Sequence, residues 1–135
     1  MRNDSTRRIS TREPADSSFE AWLASWQGSL VVTSGNAAGT EYLIDAPSMS
    51  IGRGDEASWS IADDSMSSVH AALEFSGTGI RLRDLGSMNG CRVNGAAVQA
   101  ADLKHGDRIE LGQTTLQFLL EERQHAPRTY VIESD

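Results

Sequence analysis

The chain has one cysteine, three prolines and no long apolar run among its 135 residues. The single Cys91 cannot form an internal disulfide, and one cysteine with three dispersed histidines does not make a zinc-binding pattern. The first residues lack the apolar stretch of a secretory signal, and no run of about 18 apolar residues is present to span a membrane. We therefore expect a cytoplasmic protein with no metal and no membrane insertion.

The chain also lacks an excess of positive charge and is acidic, with a formal net charge of -7. Residues 28–122 contain six cationic and thirteen acidic residues, so the whole excess of -7 lies there, while the segments on either side are balanced. Such a domain repels nucleic acids and anionic membranes, which excludes nucleic acid as an expected partner. An anionic ligand would have to bind through local groups, which is feasible because salt screens charges beyond about 10 Å.

Composition divides the chain into an N-terminal tail (1–27), a β-rich domain (28–122) and a C-terminal tail (123–135). We expect the first tail to be flexible, with a short amphipathic helix near 17–27. Ser17 to Glu20 fit a capping box, and apolar residues follow at helical spacing, namely Phe19, Trp22, Leu23 and Trp26. A helix this short is marginal alone, so its apolar stripe must dock, either on the domain itself or on a partner.

Short segments of β-type composition, separated by turn residues, fill the domain. They are residues 29–33, 41–44, 48–51, 59–61, 71–75, 80–84, 91–93, 97–99, 108–111 and 114–120. Asn94-Gly95 predicts a type I′ hairpin turn, and Gly112-Gln113 resembles the two-residue loop of a type II′ turn. This regular spacing predicts an all-β sandwich or barrel, whose loops meet at one end.

Arg53 follows Gly52 at the end of a predicted strand. Its guanidinium is a planar and permanently charged fork, which suits a phosphate dianion. The alternative is a surface salt bridge with Asp55 or Glu56.

Three further polar residues lie in predicted loops. Ser67 and Ser68 offer hydroxyl and backbone N–H donors, although a serine pair is also ordinary turn chemistry. Asn89 precedes Gly90, and its side-chain amide can pair with the main chain of a peptide or serve a turn.

The order and spacing of these residues are more specific than any one of them. The chain resembles the forkhead-associated (FHA) family of phosphothreonine-binding modules over about residues 28–120. The motifs that carry the resemblance are Gly52-Arg53, Ser67-x-x-His70, Asp84-Leu85-Gly86-Ser87-x-Asn89-Gly90, Val93-Asn94-Gly95 and Leu103-x-x-Gly106-Asp107-x-Ile109-x-Leu111-Gly112. The resemblance implies a β-sandwich of about eleven strands.

The resemblance also implies roles for single residues. Phosphate contacts fall to Arg53 and Ser67, with Ser68 as an additional contact, and peptide main-chain contacts fall to Asn89. Structural support of the site falls to Gly52, His70 and Gly90. Two positions depart from the family pattern, because Met88 stands where a threonine is common and Ser68 where an arginine is common.

The resulting hypothesis is a bacterial phosphopeptide-binding module that recognises phosphothreonine in a partner protein within Ser/Thr kinase signalling. We expect no enzymatic activity and no cofactor. Ser67, His70 and Asp84 are the residue types of a hydrolase triad, but no Gly-x-Ser-x-Gly turn is present.

The N-terminal tail offers a second hypothesis. Arg7 and Arg8 precede Ser10 and Thr11 in a pattern that basophilic kinases favour, and Thr6 is a further hydroxyl residue beside them, so Thr6, Ser10 and Thr11 are candidate phosphorylation sites. A phosphorylated tail would then occupy the domain's own site.

A third hypothesis is a phospho-independent scaffold or oligomerisation protein. It would act through the apolar helix face of Phe19, Trp22, Leu23 and Trp26.

Overall fold

The structure is a computed structural model, and it describes residues 12–123, with side chains from residue 18 onward. One helix, α1 (Arg12–Ser25), precedes eleven strands. The strands are β1 (Trp26–Ser34), β2 (Glu41–Leu43), β3 (Ser48–Gly52), β4 (Trp59–Ser60), β5 (Ala71–Phe75), β6 (Ile80–Asp84), β7 (Cys91–Val93), β8 (Ala96–Val98), β9 (Ala100–Asp102), β10 (Arg108–Leu111) and β11 (Thr114–Glu122).

The strands form two sheets that enclose one apolar core. The five-stranded sheet has the order β9-β6-β5-β3-β4, and the six-stranded sheet has the order β2-β1-β11-β10-β7-β8. All neighbours are antiparallel except β3 and β4, which are parallel. Alternate residues point inward, such as Leu30 and Val32 on β1 and Leu116 and Phe118 on β11, and all four are buried. The prediction of an eleven-stranded all-β sandwich is confirmed.

Strand β9 is the one that the sequence pattern did not reveal. It follows β8 after the single residue Gln99, but it pairs with β6 in the opposite sheet. Its sequence, Ala-Ala-Asp, has little intrinsic strand preference, so only this tertiary pairing defines it.

Both predicted hairpin turns are confirmed by their backbone angles. Asn94 and Gly95 have φ values of 52° and 87°, as a type I′ turn requires. Gly112 has φ 62°, and it joins β10 to β11 at the residue pair Leu111 and Thr114, in agreement with a type II′ turn.

Helix α1 differs from the helix expected near 17–27. It begins at Arg12, so Ser17 lies inside it and does not cap it, and it ends at Ser25 because Trp26 already pairs with Glu122 in the six-stranded sheet. Pro14 lies in the first turn, where its missing N–H costs no intrahelical bond.

The apolar stripe of α1 docks on the domain. Phe19 and Trp22 are 5% and 8% exposed, and both rings pack against Phe75, with centroid distances of 5.5 and 5.8 Å. Leu23 and Trp26 are partly buried against the same core. The hypothesis of a free partner surface on this face is therefore wrong, because the domain itself covers the two central aromatic residues.

Arg123 holds the C-terminal end of the helix. Its backbone N–H donates to Ser25 O at 2.8 Å, and its Nε donates to the carbonyl oxygens of Leu23 and Trp26 at 2.6 and 3.1 Å. A cation at a helix C-terminus is favourable, because the last carbonyl groups there lack intrahelical donors. Across residues 12–123, no helix has the length and apolar character needed to cross a membrane.

Candidate functional site

Three loops meet at the end of the sandwich opposite to the contact between α1 and Phe75. They connect β3 to β4, β4 to β5, and β6 to β7, and they enclose an open cleft of about 350 Å³. The cleft is lined by Arg53, Asp64, Ser65, Met66, Ser67, Ser68, Met88 and Asn89. The structure thus brings together all four residues that the sequence singled out for ligand contact.

Gly52 allows the first two loops to lie against each other. A Cβ atom at this position would overlap the Ser68 carbonyl oxygen and lie 2.6 Å from its carbon. This close approach lets Arg53 N donate to Ser67 O at 2.9 Å and Gly54 N donate to Ser68 O at 3.0 Å. The supporting role expected of Gly52 is thus a steric one.

Arg53 is exposed and oriented by the backbone of the second loop. Its Nε donates to Met66 O at 3.0 Å. Among the side chains that the structure describes, Arg53 forms no ion pair, so the alternative of a salt bridge with Asp55 or Glu56 is not what the fold contains. Within residues 18–123, neither terminal nitrogen of the guanidinium donates a hydrogen bond, so both can contact an anion.

The Ser67 hydroxyl is held with its proton available. Its Oγ accepts a hydrogen bond from Met88 N at 3.0 Å, so the oxygen is fixed while the O–H has no acceptor within residues 18–123. The Ser67 amide donates to Nδ1 of His70 at 3.0 Å. Ser67 therefore presents a hydroxyl donor on the same cleft as the guanidinium of Arg53.

His70 is fully buried and joins two of the loops. Because its Nδ1 accepts from Ser67 N, the proton resides on Nε2, which donates to Gly90 O at 2.7 Å. Both ring nitrogens are thus engaged by the backbone. His70 has no nitrogen left to act as a base toward the Ser67 hydroxyl, so the geometry of a hydrolase triad is not present.

Asp84 organises the loop between β6 and β7. Its Oδ1 accepts from the Ser87 hydroxyl at 2.5 Å, and the Ser87 oxygen in turn accepts from Gly90 N at 2.8 Å. Burial would raise the pKa of Asp84, but the hydrogen bonds from Ser87 and Cys91 outweigh it and lower the pKa below the ordinary value. Gly90 has φ 79°, which explains why glycine ends this loop.

His70, Asp84 and Cys91 place one ligand-type atom each within 4.8 Å of one another. Burial raises the pKa of the Cys91 thiol to about 12, so it stays protonated. With the imidazole and the carboxylate already hydrogen-bonded, this cluster is suited to structural support and not to holding a metal ion.

Asn89 is exposed at the rim of the cleft. Its Nδ2 donates to Ser65 O at 2.6 Å, which fixes the plane of the amide. Its Oδ1 and second N–H have no partner within residues 18–123, and an acceptor with a donor is the pair of groups needed to bind one peptide unit.

Asp63 is the supporting residue that sequence reasoning missed. It is 5% exposed, and its carboxylate accepts from Ser65 N and Oγ at 2.9 and 2.5 Å, from Gln113 N at 3.0 Å and from Thr114 Oγ1 at 2.7 Å. Burial would raise the pKa of Asp63, but these four hydrogen bonds lower it below the ordinary value. The bond to Ser65 forms an ordinary Asx turn, which a local sequence pattern can indicate. The bonds to Gln113 and Thr114 join residues 50 and 51 positions away, and no local pattern indicates them.

The segment that Asp63 holds supplies the carbonyl acceptors for the side chains of Arg53 and Asn89. Ser65 O accepts a hydrogen bond from Nδ2 of Asn89, and Met66 O accepts one from Nε of Arg53.

A second cavity of about 600 Å³ adjoins the cleft and shares Asp64 and Ser65 with it. The remaining residues of its lining are Gly35, Asn36, Ala62, Asp63 and Gln113.

The candidate phosphorylation sites Thr6, Ser10 and Thr11 lie outside the described residues.

Comparison with known proteins places the chain among bacterial relatives of one fold. Residues 31–122 match a family model described as the cytoplasmic domain of an inner-membrane component of the T3SS. The glycogen accumulation regulator GarA of Mycolicibacterium smegmatis is 36% identical over 97 residues, which are 72% of this chain and 61% of the relative. The chain thus spans less than two thirds of the length of this curated relative.

Two solved structures are similar to this chain in both sequence and fold. One, from a study of phosphothreonine-dependent FHA domain interactions, is 33% identical with a TM-score of 0.64, and the match covers 69% of this chain and 95% of that one. Mycobacterium tuberculosis EmbR in complex with a low-affinity phosphopeptide is 26% identical with a TM-score of 0.66, and the match covers 74% of this chain and 26% of that one.

Proposed function

Because the chain belongs to the forkhead-associated family, as its motifs predicted, we propose that it is a phosphopeptide-binding module that recognises phosphothreonine in a partner protein. The observation that carries the proposal is that the Arg53 guanidinium and the Ser67 hydroxyl line one cleft, and that within residues 18–123 the first has no ion-pair partner and the second has no acceptor for its proton. Both side chains are held in place by hydrogen bonds to the backbone before a ligand binds. Binding therefore costs little side-chain conformational entropy.

In this proposal Arg53 and Ser67 bind the phosphate, and Ser68 adds a further hydroxyl from the adjacent position. Asn89 binds the main chain of the peptide with its free oxygen and second N–H. Hydrogen bonds to charged groups contribute about 1.5–3 kcal/mol each, so two or three make binding depend on the phosphate. A glutamate in place of phosphothreonine has less charge and a different shape, and it substitutes poorly.

The relatives support a regulatory role. The similar curated protein is named as a regulator, and similar solved domains are described with phosphothreonine or phosphopeptide ligands. We place this chain in the cytoplasm of a bacterium, downstream of a Ser/Thr protein kinase and without enzymatic activity of its own.

Calorimetric titration with matched peptides tests the proposal. Wild type is expected to bind a phosphothreonine peptide and not its unmodified form. The Arg53→Ala variant is expected to bind the phosphopeptide at least tenfold more weakly. Arg108→Ala serves as the matched control, because Arg108 is an exposed arginine beside the Asn94–Gly95 turn at the far end of the sandwich. Equal binding by the Arg53→Ala and Arg108→Ala variants would overturn the assignment of the site.

We also propose that the N-terminal tail regulates this site when it is phosphorylated at Thr6, Ser10 or Thr11. The support is the pair Arg7-Arg8 among these hydroxyl residues, which suits a basophilic kinase. Treatment of the full chain with such a kinase is expected to shift the amide resonances of Arg53, Ser67 and Asn89. A chain with all three hydroxyl residues changed to alanine is the control, and unchanged resonances in the phosphorylated wild type would reject this regulation.

A further inference from the structure

Asp64 occupies the boundary between the cleft and the second cavity. Its exposed carboxylate lines both spaces. Within residues 18–123, it forms neither an ion pair nor a hydrogen bond. Its neighbour Asp63 is buried and fully engaged, so Asp64 is the carboxylate that a ligand in this region meets.

The charge of the cleft lining is balanced before a ligand binds. Among the described residues, Arg53 is its one cation and Asp64 its one anion, and Ser68 stands where a second cation is common in the family. A phosphate dianion therefore enters a lining with no net formal charge, on a domain segment with an excess of negative charge. Beside the Arg53 guanidinium and the serine hydroxyls, a positive charge on the ligand itself can compensate the phosphate.

The second cavity is suited to receive that charge. Asn36 donates its Nδ2 to Ala62 O at 2.7 Å, which leaves its Oδ1 as an acceptor on the cavity wall. Gln113 contributes a second exposed side-chain amide, and no cation lines this cavity among the described residues. Asp64 precedes Ser67 by three residues, so their Cα atoms are at most about 10 Å apart, the span of about three residues of extended peptide.

We propose that Asp64 makes this module selective for phosphopeptides that carry a lysine or arginine within about three residues of the phosphothreonine. The basic side chain lies in the second cavity against Asp64, while the phosphate lies against Arg53 and Ser67. This specificity rests on the proposed function, because it describes the sequence around the same phosphothreonine.

The expected effect is moderate. An ion pair that remains in contact with water contributes about two- to fivefold in affinity, and it is screened by salt. The preference for a basic neighbour is therefore expected to be largest at low ionic strength.

A charge-exchange experiment on the full chain tests the proposal. Three phosphothreonine peptides are used that differ only in carrying arginine, alanine or glutamate at the flanking positions, each with an unphosphorylated counterpart. They are titrated calorimetrically into wild type, Asp64→Asn and Asp64→Lys. Asp45→Asn is the control, because Asp45 is also exposed but lies near the end of the sandwich that contacts α1.

The proposal predicts that wild type prefers the arginine peptide over the glutamate peptide, that Asp64→Asn reduces this preference two- to fivefold, and that Asp64→Lys reverses it. Asp45→Asn is expected to leave the preference unchanged. If Asp64→Asn raises the affinity for all three phosphopeptides equally, Asp64 only repels the phosphate and the proposal is wrong. If no peptide binds in a phosphate-dependent way, the failure belongs to the proposed function and not to the selectivity.

Discussion

His70 Nε2 donates a hydrogen bond of 2.7 Å to the carbonyl oxygen of Gly90, and this bond joins the loop of Ser67 to the loop of Asn89. The other ring nitrogen accepts from Ser67 N, so a single buried imidazole joins the loops that carry Ser67 and Asn89, two residues that we propose contact the ligand. The geometry of the proposed site thus depends on hydrogen bonds within the protein.

Replacing this imidazole is expected to destabilise the fold and the site together. His70→Ala leaves Ser67 N and Gly90 O, which are both partly buried, without their present partners, at a cost of up to about 1–3 kcal/mol each. Urea denaturation measures the loss in the free energy of unfolding, and titration measures the accompanying loss of phosphopeptide affinity. His105→Ala is the control, since exposed His105 accepts only one backbone bond, from Leu120 N, and an equal loss there would contradict the account.

Gly52→Ala is expected to weaken ligand binding through backbone displacement. The added methyl group overlaps the Ser68 carbonyl, so the two loops must separate and the bond between Arg53 N and Ser67 O lengthens. We expect a loss of about 1–3 kcal/mol in the free energy of unfolding and a loss of phosphopeptide affinity. Gly79→Ala is the matched control, because no atom lies within 4 Å of its added Cβ and its φ is not positive.

Stability is expected to fall in acid through Asp63. Because the folded-state pKa of Asp63 is lowered, its contribution is complete above the unfolded-state pKa of about 4, and it is lost as the pH falls through the folded-state value. Asp63→Asn places an amide NH₂ against hydrogen-bond donors, so it is expected to cost about 2–3 kcal/mol at pH 7 and to flatten the acid limb. Unfolding free energies of both proteins between pH 7 and pH 3 check this, and parallel pH curves would disprove the role of Asp63.

Met88→Thr is expected to raise phosphopeptide affinity. Met88 is 89% exposed on the cleft, and its side chain offers no hydrogen bond to a phosphate. A threonine hydroxyl there adds one bond to a charged group, so we expect a gain of up to about tenfold in affinity. Leu43→Thr changes the other large exposed apolar side chain, on the edge strand β2, and is expected to leave affinity unchanged.

Sequence alone predicted the parts of this protein that depend on short-range patterns. Arg53, Ser67 and Asn89 stand in motifs next to strands, and the Asn94-Gly95 turn depends on two adjacent residues. The role of Asp63 depends on the Gly112–Gln113 turn, 50 residues away, and no local pattern contains that pairing. Strand β9 was missed for a similar reason, since its pairing with β6 outweighs the weak local preference of its sequence. The start of α1 at Arg12, ahead of Ser17, was also missed.

The most direct test of the central claim is the ratio of two dissociation constants for the wild-type chain. One is measured for a phosphothreonine peptide selected from a degenerate library, and the other for the same peptide without phosphate. Loss of two charge-assisted bonds predicts that the unmodified peptide binds at least a hundredfold more weakly. Equal affinity for the two peptides, or no binding of any phosphothreonine peptide in the library, would contradict the account.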